Sequence, residues 1–339
     1  MNINGDSHLD LITLGKTNAG GASHIYINDG TGKLNLTIDQ VFDIPSTLHA
    51  ISAADFNSDG YEDLAVSHLD SISMHTNIYT NKYASEVDSG FGLYQQLEGT
   101  LYASLDWGDY DNDGDLDLIS SGFTGIETDL TGTEYIDPIT NVYQQNSQGQ
   151  FVLDTTLYML DSVGLSSTQW GDYDNDGDPD LIIGGQTANP NSSVTRLYQN
   201  DPIGRLTEVT TANAIRGVKA GASLFRDLDS DGDLDLIMTG WNKIEGKLIT
   251  LLFVNERLGS FTPYQDQIDF AVAYGTIDAI DYNLDGFQDF LIAGADSVQN
   301  YAGTVHSMSG RVFLNNQDGS FIAVKEIPGA RTARFVDIN

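Results

Sequence analysis

The stretch Asp109–Asp117, DYDNDGDLD, sets aspartates at alternate positions around one glycine, and its spacing returns along the whole chain. Copies open at Asp55 (DFNSDGYED), Asp172 (DYDNDGDPD), Asp227 (DLDSDGDLD) and Asp281 (DYNLDGFQD), with a weaker one at Asn2 (NINGDSHLD). The chain stops on Asp337, Ile338 and Asn339, the first three residues of another copy. Starts at 2, 55, 109, 172, 227, 281 and 337 lie 53 to 63 residues apart, so six repeats fill residues 1–339, read here as one domain. Asp, Asn and Gly are ordinary turn formers, and a single copy would pass as a polar turn. Copies held in phase over the whole chain demand a common structural role.

A second signature keeps the same phase. An apolar residue, an aromatic, one further residue and Asn precede a Gly-Phe or Gly-Leu turn in IYINDGTGKL (Ile25 to Leu34), LYQNDPIGRL (Leu197 to Leu206), LFVNERLGSF (Leu252 to Phe261) and VFLNNQDGSF (Val312 to Phe321). VYQQNSQGQF (Val142 to Phe151) is a variant, and NIYTNK near Tyr79 precedes a longer insertion. After each acidic loop comes an apolar run such as DLDLISSG or DPDLIIGG. The pattern predicts four short strands per repeat, joined by polar breaks, with no helical periodicity. Four-stranded repeats of about 55 residues fit the blades of a β-propeller. Sixteen Tyr, fourteen Phe and three Trp, placed in phase, argue against a disordered acidic chain.

WGDYDNDGDLDLI followed by the aromatic-Asn strand and Gly-Phe turn resembles the FG-GAP or VCBS repeats of integrin α N-terminal propellers and many secreted bacterial proteins, the bacterial form above all. The resemblance covers essentially the whole chain. It implies an all-β propeller of six four-stranded blades or, since integrin-like propellers have seven, a six-blade portion of a larger ring.

Carboxylates a few ångströms apart repel unless a cation sits among them or they take up protons. Side-chain oxygens of Asp and Asn are hard ligands of the kind calcium collects, six to eight at a time. Position 1 of the loop is Asn2, Asp55, Asp109, Asp172, Asp227 or Asp281, and position 3 is Asn4, Asn57, Asp111, Asp174, Asp229 or Asn283. Position 5 is Asp6, Asp59, Asp113, Asp176, Asp231 or Asp285, and position 9 is Asp10, Asp63, Asp117, Asp180, Asp235 or Asp289. Position 7 offers a backbone carbonyl, from Tyr61, Asp115, Asp178, Asp233 or Phe287, and glycine at position 6 permits the sharp turn. The reading expects about five to six Ca²⁺ ions, with loops 3, 4 and 5 the strongest. Loop 1, with two asparagines and Ser7 in place of the glycine, is the weakest. The EF-hand's Glu at position 12 is missing, and no His or Cys occupies a side-chain ligand position, which disfavours zinc.

If the acidic loop joins the first and second strands, the connection from second to third emerges at the opposite end. These connections vary most, and 122–140 is the longest. Length variation on one face marks a recognition surface, and Phe123, Tyr135, Trp241, Tyr301 and His306 are its candidate contacts for a glycan or protein.

No nucleophile elbow, HExxH helix or dinucleotide turn is present, so no catalytic residue is assigned. A net charge of -34 opposes nucleic acid and anionic membranes, and no apolar run is long enough to cross a bilayer. Zero cysteines leave the redox compartment open, and this segment begins inside a repeat rather than in a signal peptide. The expectation is a non-catalytic, calcium-stabilised extracellular or cell-surface module for protein adhesion or glycan recognition, part of a larger secreted or surface protein. The alternative is the propeller domain of a secreted polysaccharide lyase or glycosidase.

Overall fold

The computed structural model describes residues 1–339 apart from 7, 18–19, 32, 40–46, 70–72, 84–89, 129–133, 210–214, 258, 265–267, 300–303 and 331–339. The truncated motif at 337–339 and Tyr301 thus lie outside the described residues. The fold is an all-β propeller of six blades, each an antiparallel sheet in simple up-and-down order. Blade 1 contains β1 (Leu11–Thr17), β2 (Gly20–Asn28) and β3 (Leu34–Asp39), and is three-stranded among the described residues. Blade 2 contains β4 (Thr47–Ala54), β5 (Asp63–Leu69), β6 (Met74–Asn81) and β7 (Phe91–Glu98). Blade 3 contains β8 (Leu101–Gly108), β9 (Asp117–Thr128), β10 (Glu134–Gln145) and β11 (Phe151–Leu153). Blade 4 contains β12 (Gly164–Gly171), β13 (Asp180–Gln186), β14 (Ser193–Gln199) and β15 (Thr207–Glu208). Blade 5 contains β16 (Lys219–Arg226), β17 (Asp235–Asn242), β18 (Lys247–Asn255) and β19 (Phe261–Pro263). Blade 6 contains β20 (Ala273–Ile280), β21 (Asp289–Gln299), β22 (Thr304–Asn315) and β23 (Phe321–Pro328). The only helix among the described residues is a single 3₁₀ turn, Thr155–Leu157, capped by Asp154.

Contacts divide the chain into two compact units, Met1–Asp109 with Asp113–Leu160, and Tyr110–Asn112 with Asp161–Phe335. The first carries blades 1 to 3 and the second blades 4 to 6. Within each, the apolar runs after the acidic loops become second strands covered on both faces: every residue of β13 is buried. Such runs are apolar without alternation because sheet packs on both sides. Fourth strands are peripheral, and β23 is exposed along most of its length.

The aromatic phase has a mechanical meaning. In the first unit Phe56, at position 2 of loop 2, stacks on Trp107 of the next blade with ring centroids 5.8 Å apart, and Phe151 of the Gly-Phe turn meets it edge-on at 5.3 Å. In the second unit Tyr110 stacks on Trp170 at 5.8 Å, and Tyr173 lies 6.1 Å from Phe225 and 5.6 Å from Phe261. The carbonyl of the same position-2 residue is also claimed by the next blade. Asn81 Nδ2 donates to Ile3 O at 2.8 Å and Gln145 Nε2 to Phe56 O at 3.3 Å in the first unit. Asn200, Asn255 and Asn315 donate to Tyr110, Tyr173 and Leu228, each at 2.6 Å, in the second. The asparagine of the aromatic-Asn strand is therefore a blade-to-blade clamp.

Residues 122–140, expected as a connection, largely continue the ladder instead. Gly122 pairs with Ile139 and Thr128 with Glu134, so β9 and β10 form a hairpin with two 12-residue strands. β21 and β22 likewise pair out to Gln299 and Thr304. Consecutive strands satisfy their own backbone groups, so a long excursion costs little as a two-stranded ribbon.

Asn255 Nδ2 also reaches Leu234 O at 3.2 Å, and the residue is fully buried. Asn255→Ala leaves both carbonyls without this donor. It should lower stability by about 1–3 kcal/mol in urea denaturation, whereas Asn316→Ala, at an exposed site, should cost below about 0.5 kcal/mol.

Candidate metal centre

Each acidic loop joins the first and second strands of its blade, and its backbone is dictated by two left-handed residues. Position 6 is glycine at φ 90° to 97° in loops 2 to 6 (Gly60, Gly114, Gly177, Gly232 and Gly286), where any side chain would strain. Position 4 is also left-handed, at φ 56° to 63°, without being glycine: Ser58, Asn112, Asn175, Ser230 and Leu284. In loop 1 this place falls to Gly5, at φ 75°. Loop 1 has moved its glycine by two positions.

The aspartate at position 1 holds this turn together. In loop 4 its two oxygens accept from the amides of Asp176 (3.1 Å) and Gly177 (3.0 Å). Asp55 does the same for Asp59 (3.0 Å) and Gly60 (2.9 Å), and Asp281 for Asp285 (3.0 Å) and Gly286 (2.8 Å). Position 3 takes the amide of position 5, as in Asn57 to Asp59 at 2.9 Å, and position 5 takes that of position 7, as in Asp176 to Asp178 at 3.0 Å. Position 9 closes the loop onto the blade. Asp235 Oδ2 accepts Leu228 N–H at 2.8 Å while Oδ1 accepts Asn255 N–H at 2.9 Å, and Asp10, Asp180 and Asp289 repeat the pair of bonds. Asp63, Asp117, Asp180, Asp235 and Asp289 are completely buried.

The predicted ligands separate into two groups. In loops 3, 4 and 5 the carboxylates of positions 1, 3 and 9 each bring one oxygen within 4.8 Å of the others: Asp109, Asp111 and Asp117; Asp172, Asp174 and Asp180; Asp227, Asp229 and Asp235. Position 5, expected as an equal partner, is not part of these triplets. Loops 2 and 6 keep the scaffold with Asn57 or Asn283 at position 3. In loop 1 the scaffold is rewired: Asn2 Oδ1 accepts the amide of Gly5, at position 4, at 2.8 Å, while Asn4 Nδ2 donates to Asp6 Oδ2 at 2.8 Å as Asn283 does to Asp285 in loop 6.

A cation fits the triplets on two grounds. Asp227 Oδ1 is buried and has no hydrogen-bond donor, a costly state for a carboxylate oxygen unless something positive faces it. Burial, outweighing the bonds from Asn81, Asn200 and Asn255, pushes Asp63, Asp180 and Asp235 up to about 7, with the neighbouring aspartates adding to it. Burial followed by repulsion from Asp176 or Asp231 raises Asp174 and Asp229 as well. The ligands would be the carboxylates of positions 1, 3 and 9 with oxygens of positions 5 and 7, and the ion would supply the charge that offsets their repulsion.

Adjacent loops also touch. Asn112 Nδ2 donates to Asp178 Oδ1 at 2.8 Å, and Asn175 Nδ2 to Asp233 Oδ1 at 2.6 Å, so position 4 of one loop meets position 7 of the next. Tyr61 at position 7 of loop 2 packs over Gly5, where an added Cβ would lie 3.0 Å from its ring.

The proposed recognition residues fare unevenly. Phe123 is 1% exposed and sits edge-on to Tyr102. It is a core residue and is withdrawn from the ligand face, because residue 123 still belongs to the paired, covered part of β9. Trp241 is half-buried on β17, in register with Lys219 and Leu248. Tyr135 lies opposite Glu127 in the β9–β10 hairpin and His306 lies on β22. At the same end of blade 5 Lys219 is buried against Gln186 and Pro190, and Glu245 pairs with Arg216 and Lys247.

Residues 2–66 match the FG-GAP-like repeat family. Together with the six propeller blades, this supports an FG-GAP repeat propeller. No curated protein matches the chain. Solved structures similar to it include that of YjhT, at 12% identity and TM-score 0.48 over 88% of this chain and 90% of that one. Another is RS223-Beta-xylosidase, at 9% identity and TM-score 0.35 over 96% of this chain and 98% of that one. At these levels neither bears on function.

Because Asp63, Asp180 and Asp235 keep protons up to about 7 when folded, against 3.8 ordinarily, the folded state binds more protons between those values. Stability in chelator should therefore fall as pH rises through that window. Calorimetry in chelator should give a higher melting temperature near pH 5 than near pH 7.5, and excess calcium, which needs ionised carboxylates, should shrink or invert the difference. Asp235→Asn should flatten the chelator profile.

Proposed function

We propose that the chain is a non-catalytic, calcium-binding propeller of an extracellular or surface protein, in which calcium stabilises the acidic loops and the opposite end recognises a protein or glycan. The observation that carries it is the convergence of positions 1, 3 and 9 within 4.8 Å in three separate loops. Oxygen-only ligands and a flexible nine-residue cage favour calcium over zinc, which wants nitrogen or sulfur, and over magnesium, which keeps its waters. Loops 3, 4 and 5 are the principal sites, loops 2 and 6 weaker ones, and loop 1 the weakest.

The ion's role is structural. Each loop ties two strands of a blade, and a ligand that binds only the folded state adds its binding free energy to stability. Sites of moderate affinity suit extracellular calcium, about millimolar, and stay largely empty at resting cytosolic levels. The sequence-variable second-to-third connections, including the β9–β10 ribbon, leave the end opposite the metal loops and present Trp241 and Tyr135 as candidate contacts.

A thermal melt in chelator, calcium and magnesium tests the metal. Each calcium site at a hundredfold excess over its dissociation constant contributes about 2.7 kcal/mol, so a large calcium-specific rise is expected, reduced by Asp229→Asn. Equal melts in chelator and calcium would overturn the proposal. For recognition, Trp241→Ala should leave the calcium-loaded melt nearly unchanged while weakening any glycan or protein captured by the unmodified chain.

A further inference from the structure

We propose that Asn175 is a positioning residue for the neighbouring loop, coupling occupancy of loop 4 to the calcium affinity of loop 5. The inference rests on the metal reading above and concerns two loops of the second compact unit. Asn175 is position 4 of loop 4, held left-handed at φ 59° between Asp174 and Asp176. Its side chain donates to Asp233 Oδ1 at 2.6 Å, a short, charge-assisted contact. Asp233 is position 7 of loop 5, the residue whose carbonyl is offered to the ion and whose amide is fixed by Asp231 Oδ1 at 2.9 Å. The amide of Asn175 therefore holds the backbone that carries a ligand of the next site.

An ion in loop 4 fixes Asp174, and through it the peptide on which Asn175 is mounted. Loop 5 then binds with part of its ordering already done, which is positive coupling without any change of shape. Charge works the other way, since each ion weakens the negative field at its neighbour. That term is screened with a Debye length of about 8 Å at physiological salt, whereas the hydrogen bond is direct. The net effect is positive and grows with salt. The bond depends on residue type: loop 5 carries Ser230 at position 4, and loop 6 carries Phe287 at position 7.

Hydrogen exchange of the peptide spanning 227–235, followed against calcium concentration, reads loop 5 separately from the others. Asp174→Asn, which weakens loop 4, should raise the calcium midpoint for loop-5 protection by about fivefold or more. Asn175→Gly and Asn175→Ser should each raise it similarly. Gly is free of left-handed strain, as Gly5 is at the same place in loop 1, and Ser occurs there in loops 2 and 5, so agreement between the two separates the lost bond from a backbone effect. In either Asn175 background, Asp174→Asn should add nothing further. Calcium protection of loop 5 that none of these changes moves, or shifts that simply add, would overturn the coupling and leave the metal reading standing. Absence of calcium protection in the unmodified chain would overturn both.

Discussion

The buried aspartate at position 9 is the interaction on which the rest of each blade depends. One of its oxygens fixes the start of the acidic loop, through the amide of position 2, and the other fixes the third strand, through the amide of the clamp asparagine. That asparagine then reaches the position-2 carbonyl of the preceding loop. The same position-2 residue inserts its ring between the next blade's first strand and Gly-Phe turn. Loop geometry, blade geometry and blade-to-blade packing are thus consequences of one carboxylate with two amide donors. In blades 4 and 5 its burial is tolerable because both oxygens are hydrogen-bonded, and burial raises Asp180 and Asp235 well above the usual carboxylate range.

Much of this was legible in the sequence because it is encoded at short range. A nine-residue spacing specifies a loop whatever surrounds it, and a constant period specifies like blades. Four strands per repeat followed from the apolar runs and the Gly-Phe turns. The clamp asparagine showed only as a recurring letter in phase, since its partner lies 82 residues away for Asn255 and 90 for Asn200. Its constant phase with position 9 was the available signal. The left-handed position 4 was hidden for another reason: Asn accepts that conformation without glycine's signature, and Ser58, Ser230 and Leu284 adopt it with no local signal at all. Phe123 was misjudged because a hairpin that outgrows its blade looks, in sequence, like an insertion from its first glycine onwards.

The site's division of labour was only half legible. All the acids of a loop look alike in sequence, yet positions 1, 3 and 9 converge while position 5 chiefly braces position 7. Alternation alone cannot reveal this, because it depends on the two left-handed residues that fold the loop back over its own start. Once the turn closes, position 1 lies over the amides of positions 5 and 6, and position 3 falls beside position 9. The hydrogen bonds that shape the loop and the oxygens that would meet a cation belong to the same carboxylates, so the turn and the cage are one structure.

Loops 3, 4 and 5 combine four side-chain aspartates with an aspartate at position 7. They therefore concentrate the electrostatic cost of the fold in the middle of the chain. Asparagine at position 4 of loops 3 and 4 offsets part of that cost, giving the next loop's position-7 carboxylate a neutral donor. Loop 2 meets its predecessor with Tyr61 on Gly5 and with Glu62, which accepts from the amide of Asn2 and pairs with the amino group of Met1. The two kinds of joint imply different responses to calcium. On the calcium reading proposed above, a joint made by a position-7 carboxylate would tighten as its loop is filled, so any calcium dependence of rigidity should be strongest where the acids are densest.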